Sequence, residues 1–210
     1  MGGRERSTST SNGEAGYATG MTIPVAREAC WSELDAGAKR TRLLLAAGEV
    51  FARNGLQAPM PEVAAAAGAG VGSVYRQFPS KRELLAALVI ERMEEVRTDA
   101  EAAIVSPAGP WAALVELLWV YAGRLTGDDV YAEAIACVSD DPEVDRAQAA
   151  KTAAWERLLE AGRVEGRLRP DASTDDLRLL FAAARAAEQL ERGASRRMLE
   201  LGIDALDTKR

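Results

Sequence analysis

Residues 40–85 read RTRLLLAAGEVFARNGLQAPMPEVAAAAGAGVGSVYRQFPSKRELL, and this stretch decides the fold. An amphipathic helical pattern ends at Gly55, because glycine is the residue that most often follows the last turn of a helix. A short alanine-rich helix ends in the same way at Gly68, a third short segment carries Tyr75, and another helix begins at Ser80. Short helices joined by tight glycine turns are typical of a helix-turn-helix that binds duplex DNA.

From about residue 36 onward the chain has the periodicity of an all-α protein, and no segment shows the alternation of a strand. The pattern predicts nine helices, over 36–54, 61–67, 71–78, 80–104, 110–126, 129–138, 142–165, 173–192 and 195–207. Ser80 and Glu83 form the pattern of a capping box at the start of the fourth helix. We expect Phe78 to point inward with Phe51 and Val63.

Composition excludes several classes of protein. The 210 residues include no histidine, which removes the commonest general base and metal ligand. Cys30 and Cys137 lack metal-type spacing, so we expect a reduced cytoplasmic protein with Cys137 buried as a small apolar residue. No apolar run reaches the roughly 18–20 residues of a membrane span, and the N-terminus lacks the apolar core of a signal peptide. The sequence predicts no cofactor, no metal and no membrane partner.

The charge is unevenly distributed. The net charge is −6, but residues 35–82 contain seven basic and three acidic residues, a local net charge of +4. A basic segment within an acidic chain is consistent with a domain that binds DNA. Residues 1–32 are rich in Gly, Ser and Thr without periodicity, and we interpret them as a disordered extension, or as sequence upstream of a start near Met21.

The third segment supplies candidate contacts to bases. A single helix fits the major groove and presents its first residues to base edges. Ser73, Arg76 and Gln77 have groups that hydrogen-bond to bases or phosphates, and Val71 is suited to a thymine methyl.

Other residues are suited to the DNA backbone. Tyr75 has a hydroxyl to offer a phosphate, and Lys81 lies beside the unpaired amides that begin the fourth helix. Gly70 and Gly72 permit a close approach of the segment to DNA. The alternative is an ordinary helical bundle in which Tyr75 is a core aromatic.

This stretch resembles the DNA-binding domain of TetR-family transcriptional regulators. The family pattern has an arginine before Ile-Leu-x-Ala-Ala, then Phe and Gly, then Ile-Ala-x-x-Ala-Gly-Val-Ser-x-Gly-Thr-Leu-Tyr-x-His-Phe, then a lysine and two leucines. The match extends over a stretch of about 45 residues in the same order, and the matching residues are Arg40, Leu43, Leu44, Ala46, Ala47, Phe51, Gly55, Val63, Ala64, Ala67, Gly68, Gly72, Ser73, Val74, Tyr75, Phe78, Lys81, Leu84 and Leu85.

The resemblance implies a role for each matched position. Tyr75 and Lys81 would contact phosphates, and Arg40 or Arg42 would brace the DNA backbone from the first helix. The residues in or near the groove would be Val71, Ser73, Arg76 and Gln77.

Three positions depart from the family pattern. Pro59 and Gly70 stand where the family has Ser or Thr, and Gln77 stands where it has His or Tyr. Each change removes a cap or hydrogen bond that is worth roughly 0.5–2 kcal/mol. The chain is therefore expected to have a more mobile DNA-binding domain than is usual, or a weaker grip on its operator.

The resemblance also implies two domains. Residues 33–84 would form the three-helix helix-turn-helix DNA-binding domain, here called the N-terminal domain. Residues 85–210 would form a larger helical domain, here called the C-terminal domain, that binds a ligand and dimerises. The sequence around Gly166 to Asp171 resembles a turn common before the penultimate helix of the family.

Large aromatic residues of the C-terminal domain are candidates for a ligand cavity, because a few rings among Ala and Leu are able to wall an apolar pocket. The alternative is that they are core residues, and that Arg185 lies on a solvated face or in an intersubunit ion pair. The candidates are Trp111, Trp119, Tyr121, Tyr131, Trp155, Phe181 and Arg185.

Apolar residues of the last two predicted helices are candidates for a homodimer interface. The alanines among them are small and allow helices to approach closely. The same residues also fit an intramolecular contact. The candidates are Ala183, Ala186, Ala187, Leu190, Met198 and Leu201.

The function predicted is a ligand-responsive repressor that binds a near-palindromic DNA operator as a homodimer and is released by a small apolar or amphipathic molecule. Two other classes remain. An enzyme would have to use the pairs Asp140 with Asp141 or Asp175 with Asp176, which lie at turns and are typical of helix caps. A helical dimeric adaptor with weakened DNA binding is favoured by the departures at Pro59 and Gly70.

Overall fold

The computed structural model describes residues 30–123 and 128–209, with the backbone alone at positions 128 and 129. All nine predicted helices are present in these residues, which confirms the all-α prediction. Positions 124–126, the end of the predicted fifth helix, lie outside the described residues. A 3-10 turn, Trp31–Glu33, precedes them. The helices are α1 (Ala36–Asn54), α2 (Met60–Ala67), α3 (Val71–Gln77), α4 (Lys81–Ile104), α5 (Pro110–Ala122), α6 (Asp128–Cys137), α7 (Pro142–Val164), α8 (Thr174–Leu190) and α9 (Ala194–Leu206).

Glycine ends the first two helices as predicted. Gly55 has φ 73° and its N–H donates to the carbonyl of Phe51. Gly68 has φ 65° and ψ 29°, the left-handed conformation that side chains disfavour. These two turns fix the angles at which α1, α2 and α3 follow one another.

The start of α4 differs in part from the predicted capping box. Ser80 Oγ accepts from the backbone N–H of Glu83, as expected. The Glu83 carboxylate accepts from Ser80 Oγ at 3.0 Å rather than from the Ser80 backbone. The side chains therefore hydrogen-bond to each other, and one of the two reciprocal bonds of a capping box is replaced.

The first hydrophobic core, here called core 1, holds the N-terminal domain together. Phe51, Val63 and Phe78 are at most 2% exposed and belong to it, which confirms that Phe78 points inward. Core 1 continues into the C-terminal domain, where Ala134 and Val138 join it from α6 and its following turn. The predicted boundary at residues 84 and 85 therefore lies within one packed core.

The second hydrophobic core, here called core 2, lies between the end of α4 and helices α5, α7, α8 and α9. Leu114, Leu118 and Leu158 are completely buried in it. Helix α4 contributes to both cores: Leu84 and Met93 belong to core 1, and Ala100 and Ala103 belong to core 2.

An ion pair joins the start of α4 to the turn between α6 and α7. The Arg82 guanidinium donates to the carbonyl of Cys137 at 2.5 Å and pairs with the carboxylate of Asp140. This pairing lowers the pKa of Asp140. The Cys137 residue itself is exposed, so the prediction that it is buried is wrong. It lies at the end of α6, where the buried face is occupied by Ala134 and Val138.

Helices α8 and α9 form a closely packed pair. A Cβ atom placed on Gly202 of α9 would lie 2.2 Å from a methyl carbon of Leu180 on α8, so the Leu180 side chain would have to shift to admit any larger residue at this crossing. The Glu188 carboxylate accepts from the N–H groups of Gly193 and Ser195 and from the Ser195 hydroxyl, and these bonds lower its pKa. The turn between the two helices is therefore tied to α8.

The C-terminus is attached to the turn between α7 and α8. Leu168 and Asp207 form an isolated antiparallel bridge. The Arg167 guanidinium donates to both carboxylate oxygens of Asp207, at 3.2 and 2.6 Å, and lowers the pKa of that carboxyl. These contacts fix the end of α9 against the body of the protein.

Most of the predicted N-terminal extension, residues 1–29, lies outside the described residues. Of its last residues, Trp31 and Ser32 belong to the 3-10 turn, and Trp31 packs against core 1. Among the described helices, none combines the length and the apolar character that a membrane span requires.

We expect opposite effects on stability when Gly68, at the α2–α3 turn, and Gly72, within α3, are each replaced by alanine. Gly68→Ala should lower the free energy of unfolding by about 1–2 kcal/mol, because an alanine would be forced into the left-handed region. Gly72→Ala should raise it by roughly 0.5–1 kcal/mol, because Gly72 is helical and no atom lies within 4 Å of a Cβ placed there. Urea unfolding of the full chain at fixed protein concentration measures both. Shifts of the same sign would contradict this account of the turn.

Candidate nucleic-acid interface and ligand cavity

Helix α3 has one buried and one exposed side. Val74 is completely buried and Phe78, just after the helix, is 2% exposed. Val71 and Tyr75 lie one turn apart beside this buried side and are 40% and 45% exposed. Gly72 and Arg76 are exposed farther round the helix, away from Val74. Tyr75 is therefore not a core aromatic, and α3 presents an apolar and aromatic surface to the outside.

Polar groups flank this exposed surface. Arg76 is exposed and its guanidinium donates to Ser73 Oγ at 2.8 Å, which holds both side chains together one turn apart. Gln77 is half-buried at the end of the helix. No atom lies within 4 Å of a Cβ placed on Gly70 or Gly72, so the start of α3 is open to an approaching surface.

Three cationic residues surround α3 from neighbouring helices. The Arg40 guanidinium of α1 lies 4.8 Å from the centre of the Phe78 ring, and the Lys81 ammonium of α4 lies 5.5 Å from the Phe51 ring. Arg42 extends toward the turn at Gly68. Arg40 and Lys81 thus rest against the aromatic residues of core 1, beside the exposed face of α3.

The predicted weak caps are present. Neither Pro59 before α2 nor Gly70 before α3 makes a side-chain cap hydrogen bond. The first turns instead rely on backbone bonds, from Glu62 N–H to Pro59 O at 3.0 Å and from Ser73 N–H to Gly70 O at 2.8 Å. The amide of Asn54 also donates to the Glu62 carboxylate at 2.8 Å and ties the end of α1 to the start of α2.

A cavity of about 530 Å³ lies in the C-terminal domain between α4, α5, α6, α7 and α8. Four of the predicted aromatic residues line it: Tyr121, Tyr131, Trp155 and Phe181. The rings of Tyr121 and Trp155 are 5.9 Å apart between centres and tilted by 53°. The Tyr121 hydroxyl donates to the Asp99 carboxylate at 2.7 Å, and the Tyr131 hydroxyl donates to the carbonyl of Val89 on α4 at 3.4 Å.

Three predicted cavity residues lie elsewhere. Trp111 is buried in core 2, with the Arg167 guanidinium 5.7 Å from its ring centre. Trp119 packs against α9, where the Arg196 guanidinium lies 5.3 Å from its ring. Arg185 is on α8 but does not line the cavity. The two tryptophan corrections arise because α5 is surrounded on several sides, so its large rings point in different directions.

The sequence reasoning missed the polar part of the cavity lining. Gln148, Lys151, Thr152 and Trp155 of α7 all line it. Their spacing of three and four residues places them on one face of α7. Polar residues at this spacing before Trp155 were the sequence pattern that could have identified them as cavity residues. Arg92 and Arg178 also line the cavity, from α4 and α8.

Three of the predicted interface residues belong to an apolar stripe on the outer face of α8. Leu179, Ala183, Ala186 and Leu190 follow one another at intervals of four, three and four residues, so they share one face of the helix. Leu179 is 62% exposed and Leu190 is 89% exposed. Leu201 of α9 is 45% exposed, while Ala183, Ala187 and Met198 are half-buried.

The paired carboxylates serve as caps and ion-pair partners. Asp141 accepts from the N–H of Glu143 and Asp176 completes a capping box with Ser173, so both stabilise helix starts. Asp140 pairs with Arg82, and Asp175 lies 3.2 Å from Arg178. Within the described residues no group of three or more Cys, Asp or Glu side chains is arranged to hold a metal ion.

Comparison with protein families identifies the N-terminal part of the chain. The sequence-family model of the bacterial regulatory proteins of the tetR family matches residues 43–88, which contain α2, α3 and most of α1. The match includes the two glycine turns and the exposed face of α3. No curated protein sequence matches the chain.

Solved structures share the fold over most of the chain. A TetR transcriptional regulator from Streptomyces coelicolor is 23% identical, with a TM-score of 0.66, over 81% of this chain and 99% of that one. A TetR regulatory protein from Mycobacterium vanbaalenii is 26% identical, with a TM-score of 0.60, over 81% and 95%. SmeT of Stenotrophomonas maltophilia, in complex with triclosan, is 22% identical, with a TM-score of 0.56, over 82% and 93%.

Proposed function

The chain belongs to the TetR family of bacterial regulatory proteins, and we propose that it is a repressor that binds a near-palindromic operator as a homodimer and is released by a small molecule. It is a transcriptional regulator of this family. The observation that carries the finer proposal is the two-sided character of α3. Val74 and Phe78 anchor its inner side, while Val71 and Tyr75 beside them remain exposed and Arg76 is exposed farther round the helix.

The exposed side of α3 enters the major groove in this proposal. Arg76 and Gln77 hydrogen-bond to base edges, Ser73 binds a base or a phosphate, and Val71 contacts a thymine methyl. Arg76 is positioned for this because its bond to Ser73 keeps the guanidinium on the exposed side. Gly70 and Gly72 permit the backbone to approach the DNA because neither carries a side chain.

Phosphate contacts hold the domain in register. Tyr75 offers its exposed hydroxyl, and Lys81 leaves the face of Phe51 by rotation about its side-chain bonds to reach a phosphate near the start of α4. Arg40 and Arg42 brace the same backbone from α1. These contacts carry no sequence information themselves, but they fix where the readers of α3 meet the bases.

A homodimer forms through α8 and α9 in this proposal. The stripe from Leu179 to Leu190 is apolar and exposed in a single chain, and such a stripe marks an interaction surface. A second copy provides a matching stripe, because a two-fold interface pairs the same patch on both subunits. The two-fold axis then places two α3 helices on successive major grooves, roughly 34–36 Å apart.

The ligand acts through α4 and α6. Both helices border the cavity and both contribute to core 1, so a ligand that shifts either one also moves the N-terminal domain. Arg82 adds a direct link, because it joins the start of α4 to the turn after α6, one residue from Lys81. Release requires a ligand that binds the DNA-free conformation more tightly, since equal affinity for both conformations shifts no equilibrium.

A relative supports a ligand-responsive function. SmeT is the repressor of a multidrug efflux pump, and its complex with triclosan shows that protein with a small molecule bound. We place the regulator in the cytoplasm, where it has access to the chromosome. The alternative is a dimeric adaptor with weakened DNA binding. The absence of side-chain cap hydrogen bonds at Pro59 and Gly70 favours this alternative.

Selection from random-sequence duplexes by the full chain tests the DNA-binding proposal, with affinities then measured over a range of salt concentrations. We expect enrichment of a near-palindrome. Lys81→Ala should weaken binding to all sequences alike and reduce the slope of log affinity against log salt by about one, because one phosphate contact is lost. Arg76→Ala should change the preferred base at its position, at a cost of about 1–3 kcal/mol for the original site.

Arg146→Ala is the matched control, because it removes the same charge from an exposed position on α7 that pairs with Glu143. It should leave both the salt slope and the preferred sequence unchanged. If a folded dimer enriched no sequence even at low salt, the adaptor would replace the repressor.

Ala186→Glu tests the dimer. A carboxylate at the middle of the α8 stripe would be buried next to its own copy across the two-fold axis, so we expect a monomer in sedimentation velocity and an operator affinity at least about 100-fold lower. Gln189→Glu places the same charge on an exposed position of α8 outside the stripe and should remain dimeric. A dimeric Ala186→Glu variant with unchanged operator affinity would rule out this interface.

A further inference from the structure

Lys151 lines the cavity without forming an ion pair to any described residue. It is half-buried on α7, and its ammonium donates to the side-chain oxygen of Gln148 at 2.8 Å. No carboxylate in the described part of the chain lies within 4.0 Å of it. Burial lowers the pKa of Lys151, because loss of water disfavours the charged form and no opposite charge compensates.

The other cations that line the cavity are already paired. Arg92 lies 3.1 Å from the Glu95 carboxylate and 5.8 Å from the centre of the Tyr121 ring. Arg178 lies 3.2 Å from Asp175, on the exposed surface of α8. Lys151 therefore differs from both in having a hydrogen bond to a neutral amide in place of an ion pair.

The surroundings of Lys151 divide the cavity into a polar and an apolar part. Gln148 and Thr152 lie on the same face of α7, with the Gln148 amide donating to Thr152 Oγ1 at 3.4 Å. One turn beyond, Trp155 begins an apolar wall that continues through Leu177 and Phe181 of α8. A compact anionic group at Lys151 would thus have an apolar wall beside it.

We infer that this cavity binds an amphipathic organic carboxylate, with the carboxylate on Lys151 beside Thr152 and the apolar part against Trp155, Leu177 and Phe181. The inference rests on the proposed ligand-responsive function and specifies the chemical class of the ligand. The volume of about 530 Å³ falls within the roughly 300–1,000 Å³ usual for small-molecule sites.

The physical reason is the missing counter-charge. A partly desolvated ammonium is disfavoured until an opposite charge or further hydrogen bonds replace its lost water. A ligand carboxylate supplies both, and the bond between charged groups is stronger than the existing bond to a neutral amide. A neutral ligand of the same shape would gain the apolar contacts but leave the ammonium without a counter-charge.

Paired probes test this inference by isothermal titration with the full-length dimer. The pairs are 1-naphthylacetate with 1-naphthylacetamide, and octanoate with octanamide. We expect at least one carboxylate to bind about tenfold or more tightly than its own amide. Lys151→Met should remove that preference by weakening the carboxylate about tenfold or more while leaving the amide within about twofold, and Lys151→Arg should restore it.

Lys209→Met is the matched control, because it removes the same charge from an exposed position far along the chain and should retain the preference. Operator binding by every variant is measured in parallel. Equal binding of acid and amide, or no binding of any carboxylate, by a dimer that still binds its operator would overturn the carboxylate inference alone. If the unmodified chain bound no operator, the proposed function itself would be wrong.

Discussion

Helix α4 is the element on which the rest of the structure depends, because it is buried in two cores at once. Its first half, with Leu84 and Met93, packs with the three helices of the N-terminal domain, and its end, with Ala100 and Ala103, packs with α5 and α7. A close-packed interior responds to a shift on one side by moving its neighbours as a unit. Helix α3 therefore shares a core with a helix that also forms a wall of the cavity.

The same constraint relates the position of the cavity to that of the proposed DNA-binding surface. Tyr131 of α6 borders the cavity and donates to the carbonyl of Val89 on α4, and the end of the same helix holds Arg82 through the Cys137 carbonyl. Two contacts thus connect α6 to α4, one beside the cavity and one beside Lys81. A ligand that repositions Tyr131 acts at one end of this short connection, and the N-terminal domain lies at the other.

Local signals in the sequence were sufficient for the helices and for the exposed face of α3. Gly55 and Gly68 end helices by a backbone conformation that depends on the glycine itself. Phe78 follows the buried Val74 by four residues, and this spacing predicts its place in the core. The cavity depended on packing between helices distant in sequence, so Trp111 and Trp119 were assigned wrongly and Lys151 was missed. Cys137 was misplaced for the same reason, since only the packing of α6 decides which side of its last turn is buried.

The central claim is that a ligand in the cavity moves the N-terminal domains through α4. The most direct measurement is the distance between spin labels on Gln57→Cys, an exposed position between α1 and α2, in a dimer whose Cys30 and Cys137 are replaced by serine. We expect one narrow distance distribution on operator DNA, and a shift on the order of a few ångströms when a cavity-binding carboxylate saturates the protein. An unchanged distribution with the cavity saturated, or the absence of any distance between protomers, would contradict it.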